Sequence, residues 1–191
     1  MKALEEKIIK EGRVLNGNVL KIDGFLNHQI DVKFIEEIGK EFKRLFNNEK
    51  VTKILTVEAS GISIAYETSK NFNYVPVVFA KKTPANNQDV LTYTTELYSY
   101  TREKIYFITV AKEYLKKEDN VLIIDDFLAN GSALNGMLEI CRQAGCNVVG
   151  CGVVVEKAFQ PGGKEIREKG HRVEALARIK SMSKDKIEFA D

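Results

Sequence analysis

The sequence predicts an open α/β fold, a central mostly parallel sheet flanked by helices, and three observations carry that expectation. From residue 50 onward, strand-like and helix-like segments alternate, the pattern of right-handed crossovers that build a parallel sheet. The strand-like runs, such as VLIID and NVVGCGVVVE, are continuously apolar rather than alternating, as strands covered on both faces are. With 44% hydrophobic and 29% charged residues, the chain has the composition of a folded domain rather than a disordered segment.

Two helical stretches open the chain. Ala3 to Glu11 carries Leu4, Ile8 and Ile9 on one face and stops at Gly12. Asp31 reads as the N-cap of a longer helix, with Phe34, Ile35, Ile38, Phe42, Leu45 and Phe46 at helical spacing. Between them, NVLKIDGFLNHQ is too interrupted by Gly and Asn to join either. Lys53–Val57 reads as a strand, Ile62–Phe72 as a helix, Pro76–Ala80 as a second strand and Val121–Asp125 as a third. Ser132–Ala144 reads as a helix, and Asn147–Glu156 as a fourth strand. The stretch from Lys81 to Tyr100 is polar and turn-rich before aromatic residues enter it. It reads as a mobile flap over the carboxyl edge of the sheet that can return as a hairpin, with a disordered insertion as the alternative.

Composition removes several classes of function. Net charge is +2, with no Lys/Arg block, so nothing argues for a nucleic-acid partner. Cys141, Cys146 and Cys151 are odd in number and lack C-x-x-C spacing, which reads as reduced core thiols rather than a zinc site. The charged N-terminal stretch is unlike a signal peptide, and no apolar run approaches the ~20 residues of a membrane span. A cytoplasmic chain without membrane partners is the expectation.

The strongest local signal is VLIIDDFLANGSA, residues 121–133. An apolar strand runs into Asp125 and Asp126, and a small-residue turn follows and opens a helix. Ligands of open α/β sheets sit just beyond strand carboxyl ends. A turn at a helix N-terminus offers free N–H groups and a positive dipole end to a phosphate, and Ser132 adds a hydroxyl donor. The paired carboxylates suit two sugar hydroxyls or a hydrated Mg²⁺, so the segment describes a pocket for a phosphorylated ribose. The simpler reading is an ordinary Asp-rich strand end. Two rival phosphate motifs fail: Met137 stands where a P-loop needs Lys, and no G-x-G-x-x-G follows the first strand. VEASGIS, residues 57–63, supplies a second Ser-Gly turn after a strand. Lys81 and Lys82 follow the strand at 76–80, where they can neutralise a diphosphate.

Taken together, these segments resemble the type I phosphoribosyltransferases. Within that group, VLKIDGFLNHQID, VPVVFA, VLIIDDFLANG, VVVEKAFQPGG and RVEALARI resemble the bacterial xanthine phosphoribosyltransferase family over nearly the whole chain. The resemblance implies one domain, residues 1–191, with a small N-terminal hood from about residues 1–30 together with the C-terminal segment, and a flexible flap at about 81–100. It implies salvage of xanthine with phosphoribosyl pyrophosphate to give xanthosine monophosphate and pyrophosphate. The 5-phosphate would lie on Ala129, Asn130, Gly131, Ser132 and Ala133, and the ribose on Asp125 and Asp126. The pyrophosphate would lie on Ser60 and Gly61, where the family often has a non-proline cis peptide, and on Lys81 and Lys82. The purine would meet Leu20, Asn27 and Lys157. Mg²⁺ would arrive with the diphosphate, and the family acts as a homodimer. Related enzymes usually have Arg-Lys where this chain has Lys81-Lys82, and the segment KTPANNQDVLTYTTE matches poorly, so it receives no residue roles. No covalent nucleophile is required; Asp126 is a candidate proton acceptor that the sequence does not select. An enzyme preferring guanine, hypoxanthine or adenine is the nearest alternative. A ligand-sensing regulator of the same fold is disfavoured, because only about fifty residues precede the first sheet strand and the chain is nearly neutral.

Overall fold

The structure is a computed structural model that describes residues 1–17, 19–83, 91–99, 104–184 and 186–190. Helix α1 (Lys2–Glu11) is followed by a small hairpin, β1 (Arg13–Leu15) and β2 (Val19–Lys21), then by one π-helical turn, Asp23–Asn27. Helix α2 (Val32–Leu45) begins at Asp31, whose carboxylate accepts from the Phe34 N–H at 3.1 Å and so satisfies one of the helix's unpaired donors. Lys7 of α1 reaches the same carboxylate at 2.9 Å and lies about 5 Å from the rings of Phe25 and Phe34. The Lys7 hydrogen bond, then that of Phe34, holds the Asp31 carboxyl below its ordinary value. One lysine thus ties α1, the π turn and α2 together.

The remaining elements are β3 (Lys53–Val57), α3 (Gly61–Asn71), β4 (Val77–Thr83), β5 (Thr92–Ser99), β6 (Lys104–Ala111), β7 (Asn120–Leu128), α4 (Ser132–Ala144), β8 (Asn147–Lys157), α5 (Gly162–Glu168), β9 (Val173–Met182) and β10 (Ile187–Phe189). The large sheet runs β10-β9-β8-β7-β3-β4-β6-β5. Its centre, β9-β8-β7-β3-β4, is parallel, as expected; β10, β6 and β5 pair antiparallel. Apolar clusters cover both faces. Leu122 and Ile124 join α2 and α3 residues on one side, and Val121 and Ile123 join α4 residues on the other. This two-sided burial is the reason the strand sequences are continuously apolar. Cys141 and Cys151 are buried in the second cluster, and all three cysteines are free thiols.

The structure extends two of the expected strands. Strand β4 does not end at Ala80 but continues to Thr83, because β6 pairs with Lys81, Lys82 and Thr83. Strand β7 continues past the acid pair to Leu128, paired with β8. Of the expected flap, residues 84–90 and 100 lie outside the described residues. Its described remainder is the end of β4 and all of β5, which pairs with β6 along eight positions from Thr92↔Ala111 to Ser99↔Lys104. Strand β5 falls where the expected flap can return as a hairpin, whereas β6, β9, β10 and helix α5 were not anticipated as elements.

Candidate functional site

Most of the expected site residues gather at the carboxyl ends of β3, β4, β7 and β8, whereas Leu20 comes from the β1–β2 hairpin and Asn27 from the π turn. Strand β7 delivers Asp125 and Asp126, and the turn Ala129–Gly131 leads into α4. Gly131 has φ +79, a left-handed conformation that L side chains avoid and glycine adopts freely. The first-turn N–H groups of α4 have no acceptor within the helix. They border a cavity of about 200 Å³ lined by residues 128–134 together with Tyr98, Tyr106 and Phe127. A small anion on donor N–H groups at a positive helix end is what such a cavity accommodates.

The two acids differ sharply. Asp125 is 3% exposed; its Oδ1 accepts from the Asp126 N–H at 3.0 Å. Burial, reinforced by the Asp126 charge, pushes its carboxyl well above the usual carboxylate range, and Lys82 opposes this. Asp126 is half-buried, with Oδ1 accepting from the Phe127 N–H at 3.0 Å and Oδ2 from Asn27 Nδ2 at 3.4 Å. The π turn therefore carries Asn27 to the accessible acid.

The Ser60–Gly61 turn closes on the same place. A side chain at Gly61 would collide with the Thr56 hydroxyl and lie 3.5 Å from Asp125 Oδ1, so the glycine permits the start of α3 to approach the acid pair. The cis peptide is Glu58–Ala59, one residue ahead of Ser60. Glu58 Oε1 accepts from the Lys82 N–H at 2.7 Å, which joins the end of β3 to that of β4.

Lys81 and Lys82 are strand residues, not loop residues, so they point to opposite faces. Lys82 lies 6.0 Å from the Tyr106 ring, and its charge acts on Asp125; Lys81 takes the other face. Burial raises the Tyr106 hydroxyl above its ordinary pKa, with the Asp125 charge a smaller cause. Ser132 was expected to offer its hydroxyl to a phosphate. In the structure it donates to the Tyr98 carbonyl at 3.0 Å, tying β5 to the turn.

Lys157 ends β8 with its ammonium 5.9 Å from the Phe127 ring centroid, and burial lowers its pKa. Leu20 is 6% exposed within the cluster that includes Phe25 and Leu26, where it offers only apolar surface. Asn27 and Ser60 also border a groove of about 580 Å³ that runs between the π turn and α3. Tyr98, Tyr106 and Glu58 were missed by sequence reasoning. Finding the first two required recognising β5, TYTTELYS, whose mixed Thr and Tyr content blurs the apolar alternation, and β6, KIYFITVA, whose β-branched and aromatic run is itself a strand signal.

Against known proteins, the pattern of the phosphoribosyl transferase domain matches residues 27–178. The xanthine phosphoribosyltransferase 1 of Clostridium perfringens is 53% identical over 189 residues, covering 99% of this chain and 100% of that protein. The xanthine phosphoribosyltransferase of Alkaliphilus metalliredigens is 54% identical over 191 residues, covering 100% of this chain and 94% of that one. Among solved structures, the adenine phosphoribosyltransferase of Trypanosoma brucei, in complex with AMP, pyrophosphate and ribose-5-phosphate, aligns with TM-score 0.75. It is 19% identical, over 92% of this chain and 79% of that one. The adenine phosphoribosyltransferase of Thermoanaerobacter pseudethanolicus aligns with TM-score 0.74 at 18% identity, over 92% and 99%. At such identities the structural likeness speaks for the fold alone.

Proposed function

The chain belongs to the phosphoribosyl transferase domain family, and on that premise we propose that it transfers the phosphoribosyl group of phosphoribosyl pyrophosphate to xanthine. The products are xanthosine monophosphate and pyrophosphate. The observation that carries the reading is the meeting of Asn27 with Asp126 beside the Ala129–Gly131 turn. A base-directed amide, a sugar-directed carboxylate and a phosphate-sized cavity then occupy one place. Full-length kinship with bacterial xanthine phosphoribosyltransferases directs the choice of base.

In this reading the 5-phosphate lies on Ala129, Asn130, Gly131, Ser132 and Ala133. Ser132 must exchange its bond to Tyr98 for one to the phosphate, or leave that role to the N–H groups. Asp126 takes the ribose hydroxyls directly. Asp125, buried behind it, holds the Asp126 backbone in place. Ser60, Gly61 and Lys82 face the pyrophosphate, and Lys81 adds long-range positive charge. Asp126, the accessible carboxylate, is a hard oxygen donor that would suit Mg²⁺ arriving on the diphosphate. Held there, the ion would supply charge neutralisation for the leaving group.

The reaction breaks the sugar C–O bond to pyrophosphate and forms a C–N bond to the base through an oxocarbenium-like centre, as in glycoside cleavage. N–H groups and Lys82 stabilise the departing charge. Asp126, the accessible acid, is assigned the base proton. Leu20 supplies an apolar wall, and Asn27 and Lys157 hydrogen-bond the oxo groups of the purine. The groove between the π turn and α3, with Val32 and Tyr66 exposed at 74% and 63%, suits the contact of a homodimer. One domain with an N-terminal hood, acting in the cytoplasm, completes the reading; among the described residues no helix is long and apolar enough to cross a membrane.

The test is to incubate the purified protein with phosphoribosyl pyrophosphate, Mg²⁺ and each of xanthine, guanine, hypoxanthine and adenine separately. Nucleotide formation should be fastest with xanthine. Preferred use of adenine would overturn the assignment of base, and no nucleotide with any base would overturn the activity.

A further inference from the structure

Helix α5 stands directly behind the phosphate turn. The Gly162 N–H donates to the Ala129 carbonyl at 3.1 Å. A Cβ built on Gly162 would lie 2.5 Å from Ala129 O and from the Asn130 carbonyl carbon, and closer still to the Gly131 nitrogen. These are backbone atoms, which cannot swing aside as the end of a flexible side chain can. Behind Gly162, a Cβ on Gly163 would collide with Glu156, whose buried carboxylate accepts from Arg167 at 2.6 and 2.8 Å and from Arg178 at 3.0 Å. Ile166 of the same helix is fully buried, and its Cδ1 lies 3.2 Å from where a Gly131 Cβ would be. The turn is therefore held from below by a helix that is itself fixed to β8 and β9.

We propose that Gly162 is a positioning residue for the phosphate turn: only a residue without a side chain lets α5 fix the orientation of the Ala129–Asn130 peptide. In a trans peptide the C=O and N–H point in opposite directions. Drawing the Ala129 carbonyl toward Gly162 therefore aims the Asn130 N–H away from α5, the direction an anion on the turn requires. Lys157 lies five residues before Gly162, and the Gln160 N–H donates to the Lys157 carbonyl at 2.9 Å. One short segment thus carries the residue assigned to the purine and the support of the phosphate site. The inference rests on reading the turn as the 5-phosphate site.

The test is Gly162→Ala, compared with wild type by calorimetric binding of ribose 5-phosphate and by steady-state kinetics with xanthine. Misplacing a binding group by a fraction of an ångström lowers efficiency steeply. The expected result is a roughly tenfold or greater rise in the Kd for ribose 5-phosphate and in the KM for phosphoribosyl pyrophosphate, with the KM for xanthine changed less than about twofold. Lys164→Ala, on the exposed side of the same helix, should match wild type. If Gly162→Ala does not fold, Ile166→Val decides, since it removes only the Cδ1 facing Gly131. It should raise the same Kd by a smaller factor. A folded Gly162→Ala protein with unchanged ribose 5-phosphate affinity, a parallel rise in the KM of both substrates, or an unchanged Kd in Ile166→Val where Gly162→Ala fails to fold, would overturn the inference. A wild type that binds no ribose 5-phosphate and forms no nucleotide would instead overturn the functional reading beneath it.

Discussion

Asn27 and Asp126 stand 99 positions apart in the chain and meet at 3.4 Å, amide to carboxylate. The bond is long and solvent-accessible, so its net contribution falls at or below the ~0.5–1.5 kcal/mol of an ordinary hydrogen bond. Its value lies in placement. It marks where the π turn, which forms the lip of the N-terminal segment, comes down on the carboxyl end of β7. An amide that can release a carboxylate at so little cost is free to turn toward an incoming base.

Asn27→Ala should therefore raise the KM for xanthine by about tenfold, the loss of roughly one hydrogen bond. The KM for phosphoribosyl pyrophosphate and the melting temperature should stay near wild type. Steady-state kinetics with each substrate varied in turn, together with a thermal melt, check this. A larger effect on phosphoribosyl pyrophosphate than on xanthine would place Asn27 elsewhere.

Asp125 and Asp126 should separate cleanly when each is changed to Asn. Asp126→Asn should reduce kcat/KM for phosphoribosyl pyrophosphate by roughly a hundredfold, since an accessible charge-assisted partner is lost where the sugar reacts. Asp125→Asn keeps an acceptor for the Asp126 N–H and should act mainly on stability. Burial holds the Asp125 carboxyl up, so the folded state retains its proton more tightly than the unfolded chain. Its contribution is fully present below the unfolded pKa near 4 and declines as pH rises toward the folded value. Asp125→Asn should therefore melt higher than wild type at neutral pH, with the gap closing near pH 4. Melts across that range decide the matter; a wild type that gains on the variant as pH rises would refute it.

Glu156 presents the opposite case. Burial alone would raise its pKa, but the Arg167 hydrogen bonds and the charges of Arg167 and Arg178 outweigh that and hold it low. Its stabilising contribution is present above the unfolded pKa near 4.5 and lost as pH falls through the lower folded value. Breaking one side of a buried ion pair costs about 3–5 kcal/mol. Both arginines here are partly exposed, which reduces the expected cost of Glu156→Gln to about 1–3 kcal/mol. Urea denaturation at pH 7 should show that loss, and a smaller one at pH 4.

Sequence carried the parts of this molecule that local chemistry determines. Asp31 caps α2 because a carboxylate before an amphipathic run has unpaired N–H groups to meet, and the strand at 53–57 and the helix at 132–144 appear with the expected bounds. The acid pair and its turn were legible because they are contiguous. What escaped was set by pairing across distance. Lys81 and Lys82 read as loop residues because nothing near them in sequence announces that β6 will extend β4. The difference between Asp125 and Asp126 comes from Gly61 and Asn27, which lie more than sixty positions away. The role of Gly162 is invisible without knowing that α5 returns beneath residues 129–131.

Lys157 gives the sharpest check on base choice. It ends β8 at the same sheet edge as the acid pair, half-buried over Phe127, and burial lowers its pKa, as expected for an ammonium held away from water. An ammonium donates hydrogen bonds and accepts none, so it favours a carbonyl oxygen on the purine and penalises an amino group. A site that leaves a buried donor unpaired with the wrong ligand can discriminate by several orders of magnitude. Lys157→Ala should therefore lower kcat/KM for xanthine, guanine and hypoxanthine by roughly a hundredfold or more. The low activity with adenine should change far less, and ribose 5-phosphate binding should be unaffected. Specificity constants for the four bases in both proteins measure this directly. An unchanged preference in the variant would return Lys157 to an ordinary strand-end lysine and leave base choice to Asn27.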